Sequence, residues 1–200
     1  MIVMNKIIKK DTILYIDRGD QEVNIDINGN CIVDIYQFVI DDDSNISVNL
    51  NCEGASVNYY YSNINYHNHV VSVNIKHNKK NTVSNIYNHG VNVLDNKLDF
   101  LVNGIILKDM NGAVCNQENQ IINISNGKST ICPNLLIDCF DVESSHSAYI
   151  GKFSKDKLFY LESRGLNKNN AYHLLMKGFL IPNGVLEDRV KDYLDEIEKI

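Results

Sequence analysis

Ile46-Ser47-Val48-Asn49-Leu50-Asn51-Cys52 alternates apolar and polar residues without a break. A period of two puts Ile46, Val48, Leu50 and Cys52 on one face of a strand and the polar residues on the other. The same signal recurs upstream in Val23-Asn24-Ile25-Asp26-Ile27 and downstream in Val71-Ser72-Val73-Asn74-Ile75, with an echo at Val91-Asn92-Val93. Turn-forming residues punctuate these pieces at Asn28-Gly29-Asn30, Glu53-Gly54, His89-Gly90, Asn103-Gly104, Asn111-Gly112 and Asn126-Gly127. Many short strands with no helix between them predict a mainly β body.

The pattern alone admits a sandwich, a barrel or a β-helix. Two details favour the β-helix. Pro133 is the only proline before Phe153, so long stretches of ladder run uninterrupted. Asparagine is abundant, and stacked Asn side chains can hydrogen-bond along the coils of a solenoid. A codon bias toward Asn, Ile and Lys explains the asparagines equally well, and no exact sequence repeat is visible.

Near Phe153 the pattern turns helical. Ser154 is placed to cap a helix through Leu158, Phe159 and Leu161, with Gly165 just past its end. Asn167 is placed to cap a second helix through Ala171, Leu174 and Leu175, closed by Gly178. After Pro182, the span from Val185 to Ile200 sets Leu186, Val190, Tyr193, Leu194, Ile197 and Ile200 near helical spacing and predicts a third. The expected organisation is a β-helix core over 1–152 and a helical region over 153–200, joined as one continuous unit. The helices are expected to cap the end of the β body or to offer a docking surface.

The formal net charge of -6 argues against a nucleic-acid protein, whose phosphate contacts need a basic face. The N-terminus meets Lys6, Lys9, Lys10 and Asp11 before any apolar run is long enough for a signal peptide or a membrane span, so a cytoplasmic location is expected. The five cysteines, Cys31, Cys52, Cys115, Cys132 and Cys139, are odd in number and include no CxxC pair. They read mostly as small buried hydrophobes, not as a disulfide framework or zinc knuckle.

His67 and His69 stand one residue apart in a strand-like segment and so share a face, as paired metal ligands do. A cupin-like metal enzyme would add a nearby Glu, but the next one is Glu118. Asp41-Asp42-Asp43 reads as a solvated turn. A β-helix acting on polysaccharide would need carboxylates converging on a groove. No phosphate loop, nucleophile elbow or metalloprotease helix motif is present.

The segment from Pro133 to Phe179 carries a family resemblance. Its ordered elements are Pro133, Asp141-Val142, Ser145-His146, Ala148, Gly151, Phe159-Tyr160-Leu161, Ser163-Arg164-Gly165 and Gly178-Phe179. Together they resemble the end of the SufB/SufD core domain of iron–sulfur cluster assembly. Upstream, His77, Thr82-Val83-Ser84, Asn103-Gly104 as an Asn-Gly turn, and the Gln-rich stretch from Gln117 to Ile124 extend the likeness to about Val70.

The resemblance implies a right-handed parallel β-helix with helical ends and a non-enzymatic scaffold. It implies pairing with a SufB-like subunit, or homodimerisation. It further implies docking of a SufC-type ABC ATPase through the C-terminal helices, placing Leu158, Phe159, Tyr160, Arg164, Gly165, Leu174, Leu175 and Phe179 at that contact. No cofactor is held stably, but a transient iron–sulfur cluster at the subunit interface is implied, with His146 as its one metal ligand from this chain. Two departures narrow the likeness. Ser144 stands where SufD-type members usually carry Cys, and Ser147 stands where SufB-type members carry Glu. No Cys occupies the SufB assembly position near Asn119 to Ile121, and Cys115 is out of register with it. The chain therefore resembles a short SufD-type member lacking the usual N-terminal helical domain, with a β body starting close to residue 11.

Overall fold

The computed structural model describes residues 2–16, 20–185 and 187–200. Among them, twelve strands precede three short α-helices. The strands are β1 (Ile2–Ile8), β2 (Thr12–Ile16), β3 (Asp20–Ile27), β4 (Ile32–Ile40), β5 (Ser44–Leu50), β6 (Ser56–Asn65), β7 (His69–His77), β8 (Val83–Asn92), β9 (Lys97–Ile106), β10 (Ala113–Asn123), β11 (Lys128–Ile137) and β12 (Val142–Gly151). Odd strands form one sheet in the order β1-β3-β5-β7-β9-β11, and even strands form the other in the order β2-β4-β6-β8-β10-β12. Every neighbouring pair is parallel. The chain thus winds from one sheet to the other in a β-solenoid of about five turns. The first described strand opens at Ile2, so the β body already includes residues ahead of the start expected near residue 11.

Stacking in register makes each inward position a column. Val23, Ile46, Val73 and Val102 form one in the odd sheet. Leu14, Ile35, Tyr59 and Ile86 form another in the even sheet. All eight are buried, which explains the alternation seen in the sequence. Outward columns are polar and bond along the stack. Asn58 donates to Asp34 (2.8 Å), Asn85 to Asn58 (2.9 Å), Asn116 to Asn85 (3.2 Å) and Ser145 to Asn116 (2.8 Å). The asparagines therefore build ladders. These partners lie 24, 27, 31 and 29 residues apart, so the rungs differ in length and no fixed repeat exists to be found. Beside them Tyr15, Tyr36, Tyr60 and Tyr87 stack with ring centroids 5.2, 5.0 and 5.1 Å apart.

Two of the expected turns are not turns. His89-Gly90 lies inside β8 and Asn103-Gly104 inside β9. Both glycines occupy inward columns where a side chain has no room. A Cβ on Gly90 would stand 2.8 Å from the Phe100 ring, and one on Gly104 would stand 2.4 Å from Cys115 Sγ. Here glycine makes way for a large neighbour and does not bend the chain.

Helix α1 (Lys155–Ser163) is capped by Ser154 and followed by Gly165 at φ +93°. Helix α2 (Lys168–Leu180) is capped by Asn167, whose side chain accepts from the Asn170 N–H at 2.8 Å. It continues past Gly178 because Leu180 is buried and the Ile181 N–H still reaches the Lys177 carbonyl at 3.0 Å. The single helix expected from Val185 to Ile200 is instead a 3-10 turn at Glu187–Arg189 and α3 (Lys191–Ile197). Leu186 lies outside the described residues. Met176, Leu180, Val190, Tyr193 and Ile197 form a second core against Ile64, Val91 and Ile122 of β6, β8 and β10. The helices thus pack along the flank of the solenoid and leave its last rung uncapped.

Candidate functional site

The last rung consists of β11, which pairs only with β9, and β12, which pairs only with β10. Among the described residues each therefore has one edge without a neighbouring strand, and such an edge is a template for strand addition. Apolar side chains collect around these edges. Leu136 is 55% exposed, Ile150 43% exposed, Tyr149 49% exposed, and Phe140 stands fully in solvent.

The inward columns change character as they approach this end. Leu14, Ile35, Tyr59 and Ile86 are followed by Gln117 and then His146. Val33 and Val57 are followed by Ser84, Cys115 and Ser144. Tyr61 is followed by Asn88, Asn119 and Ala148. Ser84, Asn88, Cys115, Gln117 and Asn119 are all buried, whereas Ser144, His146 and Ala148 are exposed. The final layer of the interior thus lies open, with His146 at its surface.

Behind it runs a buried polar chain. His77 Nδ1 lies 2.8 Å from Thr82 Oγ1, and Nε2 lies 2.9 Å from Ser84 Oγ. Burial pushes the His77 imidazole down to about 4, so it stays neutral. Burial pushes the Cys115 thiol up, only partly opposed by hydrogen bonds with Ser84 and Gln117, so it is not an activated thiolate. Gln117 Nε2 donates to the Asn134 carbonyl of β11 at 3.1 Å, tying β10 to the terminal strand of the other sheet. Gln117 Oε1 and Asn88 Oδ1 are buried acceptors with no hydrogen-bond partner among the described residues. Of the five free cysteines, Cys31 and Cys115 are buried, and Cys52, Cys132 and Cys139 are half-buried.

The helical residues divide into two groups. Phe159, Tyr160 and Leu174 present 73%, 56% and 50% of their surface to solvent. Arg164, exposed like Gly165, holds its guanidinium 5.2 Å from the Tyr160 ring centroid. Leu158, Leu175 and Phe179 are half-buried. Phe179 is turned to the solenoid: its ring stacks on His89 at 4.6 Å, and its carbonyl accepts from His89 Nδ1 at 2.7 Å.

His67 falls in the turn before β7 and His69 opens that strand. The carboxylate that joins them is Asp41, one rung earlier, not a later Glu. A signal for this does exist in the sequence: Asp41 and His67 lie 26 residues apart, and so do Asp43 and His69, so Asp-x-Asp stacks on His-x-His. Even so, the cupin-like enzyme finds no support, since a cupin jelly roll is antiparallel and these sheets are wholly parallel. The groove between β12 and the helices, about 690 Å³, is lined by Lys152, Phe153, Lys157, Leu174 and Phe179 among others and by no carboxylate, which does not favour a polysaccharide-cleaving site.

A parallel solenoid with a helical flank and an open terminal rung defines a protein built to present edges and surfaces. Residues 35–179 match the family described as SUF system FeS cluster assembly, SufBD core domain, and the chain belongs to that family. It is 43% identical over 68 residues to an iron–sulfur cluster assembly SufBD family protein of Pyrococcus horikoshii, covering 34% of this chain and 15% of that protein. It is 35% identical over 100 residues to the iron–sulfur cluster assembly protein SufD of Bacillus subtilis, covering 48% and 22%. It is 38% identical over 47 residues to SufD of Escherichia coli, covering 24% and 11%. The matches thus span between 11% and 22% of the length of these relatives. Among the described residues no helix is long and apolar enough to cross a membrane.

Proposed function

We propose that this chain is a non-catalytic, SufD-type scaffold of cytoplasmic iron–sulfur cluster assembly. The reading rests above all on the open last rung, where two adjacent strand edges flank an exposed inner layer containing His146. A SufB-like subunit pairs along β11 and β12, and the assembling cluster meets this chain at the seam. A neutral imidazole is a competent iron ligand, whereas the hydroxyls of Ser144 and Ser147 are poor ones. His146 is then this chain's contribution, and the thiolates come from the partner. A SufC-type ATPase docks on the exposed face carrying Phe159, Tyr160 and Leu174, and supplies the nucleotide chemistry that this chain lacks.

Co-expression with a SufB-like subunit and a SufC-type ATPase tests this directly. The expected result is a stable complex that loses the ATPase in a Phe159→Ala/Leu174→Ala double variant and loses the SufB-like subunit in an Ile150→Lys variant. A His146→Ala variant should keep both partners and lose cluster build-up, read from the visible absorption of the reconstituted complex. A chain that captures neither partner, or that only pairs with its own copy, sinks the proposal.

A further inference from the structure

Asp41, His67 and His69 stand on stacked turns of consecutive rungs, away from the open end. One donor atom from each lies within 4.8 Å of the other two. How these atoms are held matters more than their proximity. Asp41 has a left-handed backbone, φ 54°, which Asp tolerates better than most residues. Its Oδ1 accepts the backbone N–H groups of Tyr66 and His67, both at 2.8 Å, which fixes the carboxylate and sets Oδ2 against His67 Nδ1. On the other side, Asp43 Oδ1 accepts the Val70 N–H at 2.8 Å and faces His69 Nδ1 at 3.1 Å.

A carboxylate only accepts, so His69 Nδ1 is the donor to Asp43. A neutral ring that donates from Nδ1 keeps a lone pair on Nε2, whereas a doubly protonated ring donates from both nitrogens. That Nε2 is buried, makes no hydrogen bond among the described residues, and faces Asp41 Oδ1 at 3.3 Å. Two electron-rich atoms held face to face repel unless a cation lies between them. A single shared proton would need only two partners, and here three donors converge. A carboxylate fixing the far nitrogen of an imidazole is the usual outer-shell support of a metal-bound histidine. A gap of about 3.3–3.4 Å is also the ligand–ligand edge of a tetrahedral site with bonds of about 2.0–2.1 Å. Two imidazoles and a carboxylate suit zinc or ferrous iron, with further positions left to solvent. The His67 side chain is 75% exposed and gives such an ion its way in.

We propose that Asp41, His67 and His69 form a binding site for one divalent first-row transition ion, supported from the outer shell by Asp43. This does not depend on the scaffold reading above. The test uses the full chain, stripped with a chelator and titrated with Co²⁺ by visible absorption and with Zn²⁺ by calorimetry. One saturable equivalent is expected. His67→Ala should weaken binding at least tenfold, and His69→Ala or Asp41→Asn should abolish it. Asp43→Asn should weaken it about 10–100-fold, as loss of an outer-shell partner does. His146→Ala should change nothing, which separates this site from the open rung. His67→Ala alters an exposed ring and keeps the test valid if His69→Ala fails to fold. A stripped chain that takes up no Co²⁺, or a His67→Ala/His69→Ala chain that binds as well as the unaltered one, overturns the proposal. The three side chains would then share only a proton.

Discussion

Two ends of the same inward columns are built from different materials. At the β2–β8 end, Leu14, Ile35, Tyr59 and Ile86 are buried and fill the lumen by packing. At the β10–β12 end, that column carries Gln117 and then the exposed His146, and the columns beside it carry Cys115 and Asn119 and then the exposed Ser144 and Ala148. The backbone ladder is continuous through both. What changes is how the interior is stabilised: by apolar burial first, then by side-chain hydrogen bonds, and at the last rung by a few contacts, with Gln117 and Asn119 bonding to the Asn134 and Ser147 carbonyls and with Leu135 and Val142 packed half-buried against Ile106, Ala113 and Cys115. A solenoid has no single centre that must be dry, so one end can give up packing while its neighbours hold the stack.

The sharpest way to break the comparison is to remove packing in the buried interior and in the last layer. Phe100 is fully buried, meets Tyr61 edge-on at 5.9 Å and lies over Gly90. Phe100→Ala should cost about 3–5 kcal/mol in urea unfolding. Ile150→Ala, in the exposed last layer, should cost under about 0.5 kcal/mol, as surface changes do. Equal losses would mean that the terminal rung is packed as tightly as the middle.

The buried imidazole of His77, at the end of β7, sets a pH response. Burial holds the His77 pKa at about 4 in the folded chain, against 6.5 for an ordinary histidine. Between those values the unfolded chain binds the extra proton and the folded one does not. Stability from this group is therefore complete above about pH 6.5 and is lost as pH falls toward 4, by up to ~3 kcal/mol. A His77→Gln chain should unfold with a flatter dependence over that window. Parallel curves for the two chains would show that the ring is not held neutral.

Between the two halves, Gly104 faces Cys115. Gly104→Ala should destabilise by about 1–3 kcal/mol through overpacking, and Cys115→Ala should relieve part of that loss in a double-variant cycle. Additive losses would place the strain elsewhere, for example on Gln117 or Leu135, which also border the glycine.

Strict alternation such as Ile46 to Cys52 makes strands and their buried faces legible, because one strand suffices to show period two. Helix starts at Ser154 and Asn167 are legible for the same local reason. The stacking is harder to see, because rungs of 24 to 31 residues hide a repeat whose meaning lies in register. Gly90 and Gly104 pass for turns in the sequence because the residue that forbids a side chain, Phe100 or Cys115, belongs to another strand. Asp41 passes for a solvated turn for a similar reason, since its partners His67 and His69 lie a full rung away. His146 is marked by its family motif, but its exposure in an otherwise buried column follows only from being in the last strand.

The outward ladder offers the finest test. Asn85 sits mid-stack, donating to Asn58 at 2.9 Å and accepting from Asn116 at 3.2 Å. Asn134 stands on the last rung of the other sheet, exposed, and donates to Asn103 at 2.9 Å. A net hydrogen bond is worth about 0.5–1.5 kcal/mol, so Asn85→Ala, which breaks two, should cost about 1–2 kcal/mol. Asn134→Ala should cost about half as much, because one bond is lost and solvent replaces it. Hydrogen exchange locates the effect as well as sizing it: Asn85→Ala should raise exchange on β6, β8 and β10 together, while Asn134→Ala should raise it on β11 alone. Release confined to β8 in the first variant would mean that the rungs are stabilised singly, and that the open end differs from the middle in exposure but not in cooperativity.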